Sequence, residues 1–345
     1  VFWVPWRLVK VYKEPNGRLT FDFSLFDRYV ECCFKAGAER IEIQHVAHPE
    51  RGWGTRIVLA TVTATDRKAG KSVRLPPEEG LGPLLRALER HLEERGWLGR
   101  AMIHISDEPT ESNRPSWIEA SKFVHKWAPR LKRIDAIETI GFDGHLEVWV
   151  PKLSHLHRWF EHYKRAQERG AELWFYTCCH PWGLYPNRFL DYSLLKTRIL
   201  HWMNFAFGLQ GYLHWGLNWW PKNPFGEPRP GLPPGDTHIV YPGKEGPLSS
   251  LRFEAMRDGL DDYEYLRLLV EETRKLQERL GPVAKQIPAE RRAMELCRKI
   301  VKGFVDYERD PEKLLAVREE IADEIVNLRS CLLYTSDAAD DGESV

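Results

Sequence analysis

The chain is expected to fold as a (β/α)8 barrel. Helical and strand-like patterns alternate regularly from residue 24 onward, the strand count approaches eight, and the glycine-rich cradle of an open nucleotide-binding sheet is missing. The stretch SLFDRYVECCFKAG opens at Ser24, a good N-cap, and stops at Gly37. IEIQHVA (41–47) reads as a strand. GLGPLLRALERHLEERG reads as a helix and AMIHIS (101–106) as the strand that follows it. RPSWIEASKFVHKWAP, with Pro115 in its first turn, is the next helix, and IDAIETIG the next strand. SHLHRWFEHYKRAQERG is a helix from Ser154 to Gly170, followed by the strand AELWFYTC. RFLDYSLLKTRILHWMNFAFG leads into the strand GYLHWGLN, and HIVYPG (238–243) is a short final strand. FWVPWRLVKV at the start is a candidate seventh. GLGPLL lacks the third glycine of a dinucleotide cradle and follows Pro76-Pro77-Glu78-Glu79 rather than a strand.

The expected domains are a catalytic barrel over 1–270, a helical C-terminal extension over 271–330 and a tail over 331–345. Residues 251–280 pattern as one amphipathic helix, with Phe253, Met256, Leu260, Tyr263, Leu266 and Val270 on its apolar stripe. Two charged-outside helices follow, at about 289–306 and 312–329. The tail, CLLYTSDAADDGESV, breaks the pattern. It resembles adapter-derived read-through at the ends of environmental fragments and is expected to be non-native and disordered. The chain starts at Val1 inside an expected strand, so a truncated N-terminus is expected as well.

Among 345 residues, Lys+Arg and Asp+Glu both number 50, and this balance argues against a nucleic-acid or anionic-membrane partner. No window is apolar enough to span a bilayer; the best, NFAFGLQGYLHWGLNWW, carries Asn, Gln and His. The six cysteines include the adjacent pairs Cys32-Cys33 and Cys178-Cys179 and are expected to be buried free thiols. Of the 14 tryptophans, six fall between Trp174 and Trp220. There they neighbour Gly, Pro, Asn and His, which suits sugar platforms as well as core.

In a barrel of this kind functional groups sit at the C-terminal ends of strands. Asp107 and Glu108 lie at such an end, and Pro109 turns the chain off the strand. One reading is a bland exit, with Asp107 capping the next segment and Glu108 solvated. The other is a carboxylate pair in an active site. His45, Tyr176, Trp215 and Asn218 lie at or beyond other strand ends, and His180, Trp182 and Tyr185 follow in a loop. Carboxylates within an aromatic wall suit glycoside cleavage, in which one acid protonates the leaving oxygen and flat rings hold the sugar. Metal chemistry is poorly supported. His155 and His157 sit at i and i+2 of a helix, HRWFEH has the wrong phase for a ligand pair, and His104 reads as a satisfied interior histidine. No G-x-S-x-G elbow is present.

HISDEP, LWFYTCCHPWGLYPNRFLD, GYLHWGLNWW, GDTHIVYPG and SLRFEAMRDGLDDYEYL, in that order, resemble glycoside hydrolase family 123 and its DUF4091 relatives over about residues 20 to 270. The last motif, Arg-x-Glu-x-x-Arg-x-Gly-x-x-Asp-Tyr-Glu, is hard to reach by chance. The resemblance implies a retaining, cofactor-free and metal-free β-N-acetylgalactosaminidase-like enzyme that uses substrate-assisted catalysis on a glycan or glycoconjugate. It leaves a secreted or periplasmic location open. Carried over, Asp107 orients the substrate's acetamide and Glu108 is the general acid and base, with Asp107 and the aromatic wall raising the Glu108 pKa. His45, Tyr176, His180, Trp182, Trp215, Asn218 and Trp219 are the expected substrate-binding residues. Family members carry an N-terminal β-sandwich, and this chain starts inside or just ahead of the barrel. Two other readings stay open: a glycan-binding barrel without catalysis, and a glycosidase for another sugar pairing Glu108 with Asp143 or Glu138.

Overall fold

The computed structural model describes residues 1–226 and 228–340, with side chains to 331. Two compact units emerge, Val1–Leu173 and Trp174 onward, dividing inside the region expected to be one catalytic domain.

The first unit holds β1 (Phe2–Val4), β2 (Lys10–Lys13), β3 (Leu19–Asp22), α1 (Ser24–Lys35), β4 (Ile41–Ile43), β5 (Ala47–Pro49), β6 (Ile57–Leu59), β7 (Val62–Asp66), β8 (Lys71–Leu75) and α2 (Leu81–Glu94). It continues with β9 (Ala101–His104), α3 (Arg114–Trp127), β10 (Lys132–Ile137), β11 (Val148–Pro151), α4 (Leu153–Arg158) and α5 (Phe160–Glu168). The strands β1, β4, β9, β10 and β11 pair in parallel, in that order. Their Ile41, Ile43, Ile103, Ile134, Val148 and Val150 are fully buried, as the crossover helices α2 and α3 require of a covered parallel sheet. Register aligns Glu42 with Met102 and Ile134 with His104.

Several elements depart from expectation. FWVPWRLVKV gives a strand only as far as Val4; Pro5 diverts the chain into a 3-10 turn, and Lys10–Lys13 joins a separate four-stranded sheet ordered β3-β2-β7-β8. Its small core is Val11, Ala64 and Leu75. The run 41–47 ends as a strand at Ile43. The helix over 154–170 is broken at Trp159. Val148–Pro151 is a strand that was not expected; it reaches the sheet without an intervening helix, so the alternation rule passes over it.

The second unit begins within β12 (Glu172–Tyr176), whose Trp174–Tyr176 pair in parallel with β13 (Gly211–Leu213) across α6 (Leu194–Phe207). The whole parallel ladder contains seven strands, in the order β1-β4-β9-β10-β11-β12-β13. An eighth strand closing a barrel is not found among the described residues. HIVYPG does not supply it: β14 (Tyr241–Pro242) pairs antiparallel with β15 (Pro247–Leu248), and His238 makes an antiparallel bridge to Asn218.

Beyond them lie α7 (Leu251–Leu280), α8 (Glu290–Ile300) and α9 (Pro311–Asp340). The buried stripe of α7 agrees with the expected one at Leu266 and Val270 and departs from it over the first turns. It carries Arg252, Ala255, Gly259, Asp262, Leu266 and Leu269, while Leu260 is 45% exposed. The backbone of α9 continues to Asp340, into the expected disordered tail, and residues 341–345 lie outside the described residues. Cys33, Cys178 and Cys297 are buried as expected, but Cys32 and Cys331 are exposed.

Candidate active site

In the first unit, β4 and β9 each carry one ionisable residue among apolar ones, Glu42 and His104, and β10 carries Asp135 between Ile134 and Ala136. Sheet register brings the three together. His104 is hydrogen-bonded through Nδ1 to Glu42 Oε1 at 2.6 Å and through Nε2 to Asp135 Oδ1 at 3.0 Å. Carboxylates only accept, so both ring nitrogens must donate, and His104 is an imidazolium. Burial alone would push its pKa down, but Asp135 and Glu42 raise it to about 10. Asp135, with no exposure, also accepts from the Ser106 backbone N–H at 2.9 Å and from Trp117 Nε1 at 2.6 Å.

The His45 ring lies 4.1 Å from that of His104, tilted by 54°. Burial, aided by the His104 charge, holds its pKa at about 2, so it is neutral. Its backbone carbonyl accepts from Trp6 Nε1 at 3.0 Å.

Asp107 and Glu108 follow the Ser106 anchor. Asp107 is exposed and Glu108 half-buried. Among the described residues Glu108 is the only non-glycine with positive φ, at 45°. Left-handed backbone costs a non-glycine residue about 1–2 kcal/mol, and it breaks the alternation that would send neighbouring strand side chains to opposite faces. The Asp107 carboxyl touches water on one side, yet enough protein surrounds it that desolvation raises its pKa. The His104 charge opposes the rise; Asp135 and Glu138 add to it. Glu138, just past β10, is half-buried, ion-paired with Lys152 and 3.3 Å from His155 Nδ1. Asp143, the other carboxylate suggested as a partner for Glu108, is exposed and pairs with Arg169 near the start of β12, away from the C-terminal strand ends.

In the second unit the predicted residues divide by exposure. Tyr176 is buried at 2%, whereas Trp215, Trp219 and Trp182 are 45%, 46% and 51% exposed. Trp215 and Trp219 meet edge-to-face at 5.2 Å, and the Arg229 guanidinium covers Trp219 at 3.5 Å. Trp215 Nε1 donates to Asp236 Oδ1 at 3.2 Å. Burial raises the Asp236 pKa to about 6 against the pull of Trp215 and Arg188. His180 and Asn218 are exposed; Trp182 donates to the Cys179 carbonyl and packs on Phe189 at 5.4 Å. Asp236 and Arg188 escaped the sequence reading, although Asp236 stands inside the quoted motif GDTHIVYPG. A separate cavity of about 320 Å³, bounded by Phe225, Tyr241, Leu190 and Leu248, contains none of the predicted residues.

The Arg-x-Glu motif of α7 acts as a staple. Arg252 donates Nη1 to the carbonyls of Arg188 and Gly235, both at 2.8 Å, and Nη2 to that of His238 at 2.9 Å. Buried Asp262 accepts from Arg198 Nε at 2.6 Å and Trp202 Nε1 at 2.9 Å, and pairs with Arg318 at 2.8 Å. Among the described residues no group of three or more His, Cys, Asp or Glu is arranged to hold a metal ion, and no helix is long and apolar enough to cross a membrane.

Parallel β/α units with acidic residues at a C-terminal strand exit are the architecture of barrel-type enzymes. The sequence pattern described as "Glycoside hydrolase 123, catalytic domain" matches residues 4–269, and the chain belongs to glycoside hydrolase family 123. Among solved structures it is similar to a family 123 glycoside hydrolase from Clostridium perfringens whose structure was analysed for glycolipid glycan hydrolysis. The TM-score is 0.63 at 18% identity, covering 95% of this chain and 59% of that one, so this chain spans well under two thirds of that relative. A Thermobacillus composti GH10 xylanase matches at TM-score 0.34 and 11% identity, covering 70% of this chain and 83% of that one. No curated protein matches.

Proposed function

We propose that the chain is a retaining glycoside hydrolase that releases terminal β-linked N-acetylhexosamine, foremost N-acetylgalactosamine, by substrate-assisted catalysis. The observation that carries this reading is the Asp107–Glu108 pair at the exit of β9, with left-handed backbone at Glu108 and the Ser106 amide anchored on buried Asp135. Family membership and the resemblance to a hydrolase of glycolipid glycans support it.

The substrate's acetamide oxygen attacks the anomeric carbon, forming the new C–O bond as the glycosidic bond breaks. Glu108 gives its proton to the departing oxygen. Asp107, ionised, accepts the acetamide N–H and balances the positive charge of the cyclised intermediate. Glu108, now a carboxylate, takes a proton from water as that water opens the ring and restores the β configuration. Trp215, its indole N–H fixed by Asp236, offers its exposed face to a sugar. Trp219, His180, Trp182, Asn218, His45 and Tyr176 are the further residues of the proposed binding set.

Aryl β-glycosides that differ only at C2, together with a thiazoline mimic of the intermediate, test the reading. Cleavage of the 2-acetamido sugar alone, with tight thiazoline inhibition, is expected. Equal cleavage of the 2-hydroxy analogue would indicate a protein nucleophile, and binding without cleavage a non-catalytic module.

A further inference from the structure

The proposed reaction needs Asp107 as an anion, yet the surrounding protein works against its ionisation. Two further carboxylates, Asp135 and Glu138, act in the same direction. Glu138 is ion-paired with Lys152, and the neighbouring His45 is neutral. Among the groups that act on Asp107, the one favouring its charge is His104. That imidazole is 4% exposed and is clamped on both sides, by Glu42 from β4 and Asp135 from β10.

We propose that His104 is a positioning residue: a buried imidazolium that Glu42 and Asp135 hold beneath the strand exit, so that Asp107 meets the substrate as an anion. The inference rests on the role given to Asp107 above. A charge in this place has two effects. It sets the local field at the Asp107 carboxylate. Through Asp135, whose second oxygen holds the Ser106 amide, it also fixes the backbone from which Asp107 projects. A neutral histidine could do neither, because one of its nitrogens would face a carboxylate without a proton. Removing the ring's charge leaves Glu42 and Asp135 facing each other unneutralised, and their excess negative charge opposes a third anion at Asp107.

The test compares the chain with His104→Gln and with the double variant His104→Gln/Asp135→Asn. In the pH profile of kcat/KM on an aryl 2-acetamido glycoside, the acidic limb reports the ionisation of the free enzyme's essential carboxylate. His104→Gln is expected to move that limb upward by about one unit or more, the size of a lost neighbouring charge. The double variant removes an opposing carboxylate too, and is expected to bring the limb back toward its original place. An unmoved limb in His104→Gln, or a shift the double variant leaves in full, overturns the proposal, since a merely structural histidine would give either result. If the chain cleaves no 2-acetamido glycoside, the functional reading fails by itself; carbon-13 detection of the Asp107 carboxyl then reads the same shift without turnover. If neither variant folds, nitrogen-15 spectra of the histidines in the unaltered chain decide. One imidazolium persisting through pH 9 is expected, and its absence overturns the proposal.

Discussion

Asp135 Oδ2 accepts the backbone N–H of Ser106 at 2.9 Å, so a buried carboxylate on one strand holds the residue that precedes Asp107 on the next. The same carboxylate serves His104 and Trp117. Asp135→Ala removes three hydrogen bonds and leaves an imidazolium with one partner. Breaking a buried ion pair from one side costs about 3–5 kcal/mol. Guanidinium unfolding is expected to show a loss of that order, and a loss below about 1 kcal/mol would mean the site relaxes around the gap.

Gly259 offers a sharper packing test. A Cβ there meets the backbone carbonyl of Arg198, which cannot swing away as a side-chain tip could. Helix propensity alone favours alanine over glycine by about 1 kcal/mol. Gly259→Ala is nevertheless expected to destabilise by about 1–3 kcal/mol, the usual cost of overpacking. A stabilised variant would show that α6 and α7 pack loosely.

Trp215 and Tyr176 should respond differently. Trp215 is 45% exposed and Tyr176 is 2% exposed. Trp215→Ala is expected to weaken glycan binding by about 1–3 kcal/mol, as loss of an aromatic anchor does, with the melting temperature little changed. Tyr176→Ala should lower stability as well. Calorimetric titration beside thermal unfolding separates the two, and unchanged affinity in Trp215→Ala would remove it from the subsite.

Stability should fall toward alkaline pH because of His104. Its folded pKa, about 10, lies above the ordinary histidine value of 6.5, so its contribution is complete below about pH 6.5 and is lost as pH rises toward 10. His45 acts oppositely. Held at about 2 in the folded chain, it weakens the fold as pH falls below about 6.5, where the unfolded chain takes up the proton. Denaturant midpoints at pH 7 and pH 9.5 should therefore differ more in the unaltered chain than in His104→Gln. Equal differences would contradict the charged state of His104.

The alternation of helix and strand was legible because each crossover helix needs an apolar face; the expected caps Ser24 and Ser154 instead lie inside their helices, which start at Ser24 and Leu153 without a side-chain cap. What escaped had physical reasons. Val148–Pro151 follows β10 without a helix, so no change of period announced it. The sheet of KVYK, LTFD, VTATD and KSVRL has short strands that are mostly half-buried or exposed, with a core of only Val11, Ala64 and Leu75, so no long apolar run announces it. In α7 the apolar stripe gave only the C-terminal part of the buried face, Leu266 and Val270, because Arg252, Gly259 and Asp262 are buried through hydrogen bonds and close backbone contact rather than hydrophobicity. The Asp107–Glu108 pair stood out as like charges at a strand exit. The Glu42–His104–Asp135 cluster beneath it was visible only as scattered polar residues in three separate strands; sheet register, which sequence alone does not state, unites them.

The division of labour between Asp107 and Glu108 is the centre of the account, and leaving-group dependence tests it most directly. Single-turnover cleavage of 2-acetamido glycosides is measured for Glu108→Gln and Asp107→Asn, using aryl groups from acidic to basic phenols. General acid catalysis is worth about a hundred- to ten-thousand-fold. Glu108→Gln is expected to lose about that factor with basic leaving groups and to recover most of it with acidic phenols, which depart without a proton. Asp107→Asn, impaired in cyclisation, should show no such recovery. Equal losses in both variants, independent of the leaving group, would contradict the assignment.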